Sequence, residues 1–162
     1  MARTVGKITR ATQALDKAGI RHSLHVYAYD PEAQRIGLQA AEALGVAPGR
    51  VLKTLMAAVD LRPVCLLVAS DREVSMKRVA AAFAGKAAAM LKPADAERLT
   101  GYHVGGISPL GQKRSFPTAV DAGSLGDPAA EIHVNGGGRG LQIRLTEADL
   151  IAALKPIVVP LT

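Results

Sequence analysis

The segment Val64-Cys65-Leu66-Leu67-Val68-Ala69 is apolar at every position. A strand with one wet face alternates apolar and polar residues, so an unbroken apolar run asks for cover on both faces and a central place in its sheet. Val51–Val59 reads as a second strand, with Asp60 to Pro63 as the connection. Helical spacing and stop signals predict helices over Ile8–Ala18, ended by Gly19, and Leu38–Leu44, ended by Gly45. Ser75 caps a third helix, Met76–Phe83. Pro93 opens a fourth that reaches Gly101, and Thr146 with Asp149 opens a fifth over Glu147–Leu154. Further strands are expected at His22–Ala28, Lys86–Met90, Thr118–Val120, Glu131–Val134 and Leu141–Leu145. Ile157–Val159, bracketed by Pro156 and Pro160, suits a sheet edge. Helices and strands follow no steady alternation, which favours an α+β fold with a mixed sheet over a doubly wound parallel one. At 162 residues, without repeat or linker, the whole length 1–162 is expected to form a single domain.

Twenty Lys and Arg against fourteen Asp and Glu leave a net charge of +6, and a small basic protein commonly meets a polyanion. Three Tyr, two Phe and no Trp are too few for a base-stacking platform, so the chain is expected to hold phosphates rather than bases. The excess is uneven. Arg3, Lys7, Arg10, Lys17 and Arg21 face one acid, Asp16, in the first 25 residues. No stretch has the length of a membrane span or a signal peptide, and a soluble, cytoplasmic protein is expected. Cys65 is the one cysteine, so no internal disulfide can form. Within its apolar run it reads as an inert thiol. As a nucleophile it lacks any neighbour that would lower its pKa.

Lys53 interrupts an otherwise apolar strand. One reading is a lysine snorkelling from a sheet edge. The other is a cation on a pocket wall, meeting a phosphate or a developing oxyanion. The stretch from Thr100 to Lys113 is glycine-rich, with Ser108 and Pro109 inside it, and adjacent Gly105 and Gly106 let backbone approach a ligand. Gly106, Gly111 and Lys113 approximate a nucleotide-binding P-loop. Gln112 stands at the required Lys, Arg114 replaces Ser or Thr, and Pro109 removes an N–H, so that match fails. Asn135–Gly140 precedes an alternating strand, which makes it a hairpin turn rather than a dinucleotide fingerprint. The four histidines, His22, His25, His103 and His133, have no metal-ligand spacing. Ser108 lacks the nucleophile-elbow pattern. Asp30 and Asp121 read as turn or cap residues. The residues alone identify no reaction.

From about Thr12 to Leu150 the chain resembles the YbaK/EbsC family of aminoacyl-tRNA deacylases, relatives of the editing domain inserted in prolyl-tRNA synthetase. The resemblance rests on Leu24-His25-Val26-Tyr27 with Asp30-Pro31, on Glu42–Val46, and on Arg50–Leu55 around Lys53. It rests above all on Thr100–Lys113, and on Gly137-Gly138-Arg139-Gly140-Leu141. It implies a mixed, barrel-like sheet surrounded by short helices, and no metal or organic cofactor. The implied catalytic positions are Lys53, Gly105, Gly106 and Ser108, with the loop amides fixing the ester carbonyl and its oxyanion. Tyr27, Asp30, Thr54, Ile107, Pro109 and Arg139 would contact substrate, and Lys113 and Arg114 the tRNA phosphates. The implied substrate is a mischarged aminoacyl-tRNA, and the candidate partner is prolyl-tRNA synthetase. The subgroup most similar removes cysteine from Cys-tRNA(Pro) (and Cys-tRNA(Cys)), with the substrate's own thiol attacking its ester. Two alternatives stand beside it: a deacylase for another small residue, such as Ala-tRNA(Pro), and a non-catalytic tRNA- or synthetase-binding module. The chain departs from the family pattern at Tyr29, Leu52, Asn135 and Gln142, where members commonly carry His, an aromatic, Ser and an acid.

Overall fold

A computed structural model describes residues 2–32 and 35–162. The apolar run lies where its composition demands. Strand β4 (Arg62–Ala69) is the middle of a five-stranded sheet, between β3 (Leu52–Val59) and β6 (Thr118–Asp121), with β5 (Ala88–Met90) and β9 (Ile157–Val159) at the edges. Cys65, Leu67 and Ala69 enter the main core, while Val64 and Leu66 pack on the opposite face with Val79 and Leu161. The sheet is mixed: β4 runs antiparallel to β3 and parallel to β6. A second, antiparallel sheet holds β1 (Arg3–Val5), β2 (Ser23–Val26), β8 (Leu141–Thr146) and β7 (Glu131–Asn135), in that order. The expected α+β class therefore holds, with its strands divided between two sheets rather than one. The two meet at a bridge between Val51 and His133. Their inner faces share the main core, where Met56 and Leu67 from one sheet join Ile143 and Ile132 from the other.

Five helices surround the sheets: α1 (Arg10–Lys17), α2 (Ile36–Leu44), α3 (Met76–Ala82), α4 (Pro93–Thr100) and α5 (Glu147–Leu154). Ser75 and Thr146 cap α3 and α5 as their spacing suggests. Helix α1 starts later than expected because Thr9, not a residue before Ile8, is its cap, and Ile8 is left exposed. The β3–β4 connection is shorter than expected: Asp60 and Leu61, both at positive φ, make the whole turn, so Pro63 lies within β4 opposite Ala58. Residues 136–140 form the expected hairpin turn between β7 and β8. Asp121 is not a turn residue. It is buried and accepts hydrogen bonds from Arg72 Nη1 (3.0 Å), Ser124 Oγ (2.8 Å) and Leu161 N (2.9 Å). Buried Glu147 likewise accepts from Arg50 Nη2 and Gly126 N. Removing one member of such a group strands a buried charge. Among the described residues no helix is long and apolar enough to cross a membrane.

Candidate active site

Strand β5 pairs with Ala57–Val59, so among the described residues the first half of β3 is an edge without a partner strand. The Met56 carbonyl accepts from Leu91 N on this side. Backbone groups alternate sides along a strand, so the N–H and C=O of Leu52 and Thr54 face the same open edge. A cavity of about 330 Å³ lies over that edge. Lys53, Thr54 and Glu73 line one side, Val104, Gly105 and Ile107 another, and Asn135 and Gln142 a third. Lys53 thus satisfies both readings, edge residue and pocket cation. Its Nζ is 3.3 Å from a Glu73 carboxylate oxygen, and Glu73 is 81% exposed. A pair this open contributes at most about 1 kcal/mol, so an incoming anion can displace the glutamate. Buried Thr54 Oγ1 and Gln142 Oε1 have no hydrogen-bond partner among the described residues.

The glycine loop is held by the β7–β8 turn. Gly105 has φ +88°, a conformation that disfavours a side chain. A Cβ on Gly106 would lie 2.8–2.9 Å from backbone atoms of Gly138 and Arg139, so the two segments touch backbone to backbone. Asn135 Nδ2 donates to Gly105 O (3.3 Å) and Gly138 O (3.2 Å), while its Oδ1 accepts from Gly137 N (2.7 Å) and Gly138 N (3.1 Å). Arg139 Nε donates to Val104 O at 3.0 Å. On the outside of the loop, Val104 N donates to Glu97 and holds that carboxyl below its ordinary range. The Gly106 N–H donates to His103 O (2.8 Å), so it is occupied within the loop and cannot serve an oxyanion as expected. The N–H groups of Gly105 and Ile107 donate to no protein acceptor among the described residues.

Lys53, Thr54, Gly105 and Ile107 are brought together; the other expected positions lie elsewhere. Tyr27 is buried beneath α2 with Ala40, Ala41 and Val51. Among the described residues its hydroxyl has no hydrogen-bond partner within bonding geometry; burial raises its pKa, opposed by nearby Gln142. Asp30 closes an exposed turn by accepting from Glu32 N, outside the pocket. Ser108 is fully buried and its hydroxyl accepts from Leu110 N, away from the cavity. Pro109 faces Leu15 of α1 in a separate depression. Arg139 is exposed on the far side of the loop. Lys113 is exposed near Gly101 and Arg10, whereas Arg114 lies over the Phe116 ring, 5.0 Å from its centroid. Cys65 is fully buried and its pKa is pushed up to about 12, which removes the nucleophile reading. Among the described residues no group of three His, Cys, Asp or Glu side chains is placed to hold a metal. Sequence reasoning did not single out Glu73, and it reached Asn135 and Gln142 only as departures from the family pattern expected near the pocket, without a role. The last two were legible as the polar positions of alternating strands, and they pair across β7 and β8.

Residues 30–153 match the family model of the aminoacyl-tRNA editing domain. The chain belongs to this family. It is 35% identical over 113 residues to EbsC of Enterococcus faecalis, named as a proposed Cys-tRNA(Pro)/Cys-tRNA(Cys) deacylase, covering 69% of this chain and 68% of that one. It is 30% identical over 88 residues to a proline–tRNA ligase of Acidithiobacillus ferrooxidans, covering 54% of this chain but 15% of the ligase. A crystal structure described as a proposed trans-editing enzyme for prolyl tRNA synthetase superposes with a TM-score of 0.79 at 23% identity, over 96% of this chain and 99% of that one. The chain is thus an editing-domain enzyme that cleaves the ester of an aminoacyl-tRNA. Three of its departures from the family pattern, Leu52, Asn135 and Gln142, line the cavity.

Proposed function

We propose that the chain removes cysteine from Cys-tRNA(Pro), with Cys-tRNA(Cys) as a second substrate, by attack of the substrate's own thiol. One observation carries this reading: Lys53 lines a small cavity with Gly105 and Ile107, whose N–H groups donate to no protein acceptor among the described residues, and among those residues it offers no cysteine, histidine or activated serine as nucleophile. Ser70, the lining serine, donates its hydroxyl to Val51 O. Thr54 has no base beside it among the described residues. The nucleophile then comes from the substrate or from water. In the thiol route the cysteinyl sulfur bonds to the ester carbonyl carbon and the carbon–ribose oxygen bond breaks. The thiol proton passes to the departing ribose oxygen, and water later opens the resulting thiolactone to free cysteine. Lys53 and the two amides stabilise the oxyanion, and the pocket folds the substrate onto itself. The 35% identity to EbsC supports the choice of cysteine.

The test is release of amino acid from Cys-, Ala-, Ser- and Pro-tRNA(Pro), and from Cys-tRNA(Cys), by wild type and Lys53→Ala. Cysteine release alone is expected, slowed on the order of 10²–10³-fold in the variant, as for loss of one oxyanion group. Release of alanine at an equal rate would exclude the thiol route. No release from any of them would exclude the deacylase.

A further inference from the structure

On the far side of the two glycine segments lies a second, open cleft of about 670 Å³. Lys7, Arg10 and Arg139 line it, and no acid does among the described residues. Neither Lys7 nor Arg10 forms an ion pair among the described residues. Arg10 lies over the Tyr102 ring at 6.0 Å, and Arg139 over the Tyr29 ring at 5.8 Å. The rings position the two guanidinium groups without neutralising them, and Glu97, the carboxylate whose field reaches Arg139, is occupied by Val104 N. At the rim Ile8 is 73% exposed. Gly137 and Gly138 form the cleft's wall, and Gly138 is in backbone contact with Gly106, next to the cavity-lining Gly105. One layer of backbone therefore separates a cationic cleft from the catalytic cavity.

We infer that this cleft takes the single-stranded ribonucleotides that precede the terminal, aminoacylated nucleotide. The inference rests on the deacylase reading only in placing that last nucleotide in the cavity. A strand whose end occupies the cavity crosses the Gly105–Gly138 rim and lays its next phosphodiesters between Lys7, Arg10 and Arg139. Ile8 offers an apolar contact to a base, which suits a chain with few aromatics.

The test is fluorescence anisotropy of a 5′-labelled ribohexamer ending in CCA-3′ across a salt series. Wild type is expected to bind with a log–log salt slope of about −2, three phosphates at ~0.7 each. Lys7→Glu with Arg10→Glu is expected to weaken binding at least about tenfold and flatten the slope. Arg10→Lys restores most of the affinity lost by Arg10→Glu. Arg62→Glu with Lys86→Glu makes the same charge change at the far, hairpin end of β3–β4 and is expected to cost under about twofold, the long-range share alone. Equal weakening by both pairs, or no hexamer binding by wild type, overturns the cleft; thermal melts of each variant separate misfolding from lost contact. The two readings fail separately. Hexamer binding through the cleft without amino-acid release sinks the deacylase. Release with hexamer affinity unchanged in the Lys7/Arg10 variant sinks the cleft.

Discussion

The same pair of glycine segments faces two unlike spaces. On one side is a small cavity whose cation, Lys53, already has a carboxylate at 3.3 Å and whose loop is fixed by hydrogen bonds from Asn135. On the other is a wider cleft lined by Lys7 and by two guanidinium groups that lie over rings, with no carboxylate in the lining among the described residues. The first arrangement suits chemistry, because a preorganised, partly dry site makes each oriented group count in the transition state. The second suits docking, because unpaired surface cations give affinity that is strong, unspecific and sensitive to salt. Changes on the cavity side should therefore act on the rate of ester cleavage, changes on the cleft side on RNA affinity, and changes in the partition on both.

The partition is the place for the largest effect. Gly106→Val puts a branched side chain where Gly138 and Arg139 backbone already stands at 2.8–2.9 Å. Backbone yields less readily than a side chain, so about 3 kcal/mol of stability should be lost, the upper range for overpacking. Ester cleavage and hexamer binding should fail together. Gly138→Ala makes the comparison sharper, since its Cβ meets only the end of the flexible Leu141 side chain, at 2.7 Å. It should melt closer to wild type, and a Gly138 variant that melts below the Gly106 variant would break the account of the partition.

Acid should act first on the fold, at a point outside both spaces. His133 lies at the junction of the sheets, where burial pushes its pKa down from 6.5 to about 4. A depressed histidine stabilises the fold fully above its unfolded pKa, and that share is lost as pH falls from near 6.5 through about 4. The expected loss is about 2 kcal/mol between pH 7.5 and pH 5, followed by denaturant melts at the two values. His133→Asn should flatten the dependence, leaving the smaller contribution of His25, whose pKa burial also lowers. Hexamer binding should persist while the protein remains folded, because neither histidine lines the cleft.

A finer division is available at Asn135. Asn135→Ala removes the one hydrogen bond that joins the turn to the loop, at Gly105 O, and the three that brace the turn itself, and should cost about 1–2 kcal/mol in stability. Asn135→Asp keeps the acceptors for Gly137 and Gly138 but not the donors to Gly105 and Gly138. If Asn135 is a positioning residue, the Asp variant melts near wild type yet cleaves about tenfold more slowly, with KM little changed. A rate that simply follows the melting temperature in both variants would leave Asn135 a structural role alone.

These positions also show what a sequence conveys and what it withholds. The central place of β4, the caps at Ser75 and Thr146, and the hairpin at residues 136–140 depend on neighbours a few positions away, and all were legible. Lys53 stood out because its type contradicts its strand. The misplacements concern orientation. Ser108 and Pro109 directly follow cavity-lining Ile107, yet they, like Tyr27, turn into the packing elsewhere. Strand β1 has three residues, two of them exposed, and offers no apolar period to detect. The contacts of Asn135 with Gly105, and of Gly106 with Gly138, cross about 30 residues of chain and leave no local pattern. Gly105 and Gly106 look alike in the sequence. One is required by its own φ and the other by a segment it meets only after folding.

The smallest effect is expected at Cys65, and it bears on whose sulfur acts. Its thiol is buried in the core, with Gln112 Nε2 at 3.7 Å, and is protonated at any working pH. Cys65→Ala removes one buried heavy atom and should cost about 1 kcal/mol in melting experiments. Cleavage of Cys-tRNA(Pro) should be unchanged, and iodoacetamide should leave the folded wild type active, because the thiolate that reacts with it is absent. Replacing the substrate's sulfur is the complementary change. Ser-tRNA(Pro) differs at that one atom and should resist cleavage even though it fits the same cavity. Loss of activity in Cys65→Ala at an unaltered melting temperature would move the nucleophile from the substrate to the protein. Cleavage of the seryl ester at the cysteinyl rate would instead give the attack to water, with Lys53 and the Gly105 and Ile107 amides keeping the same oxyanion role.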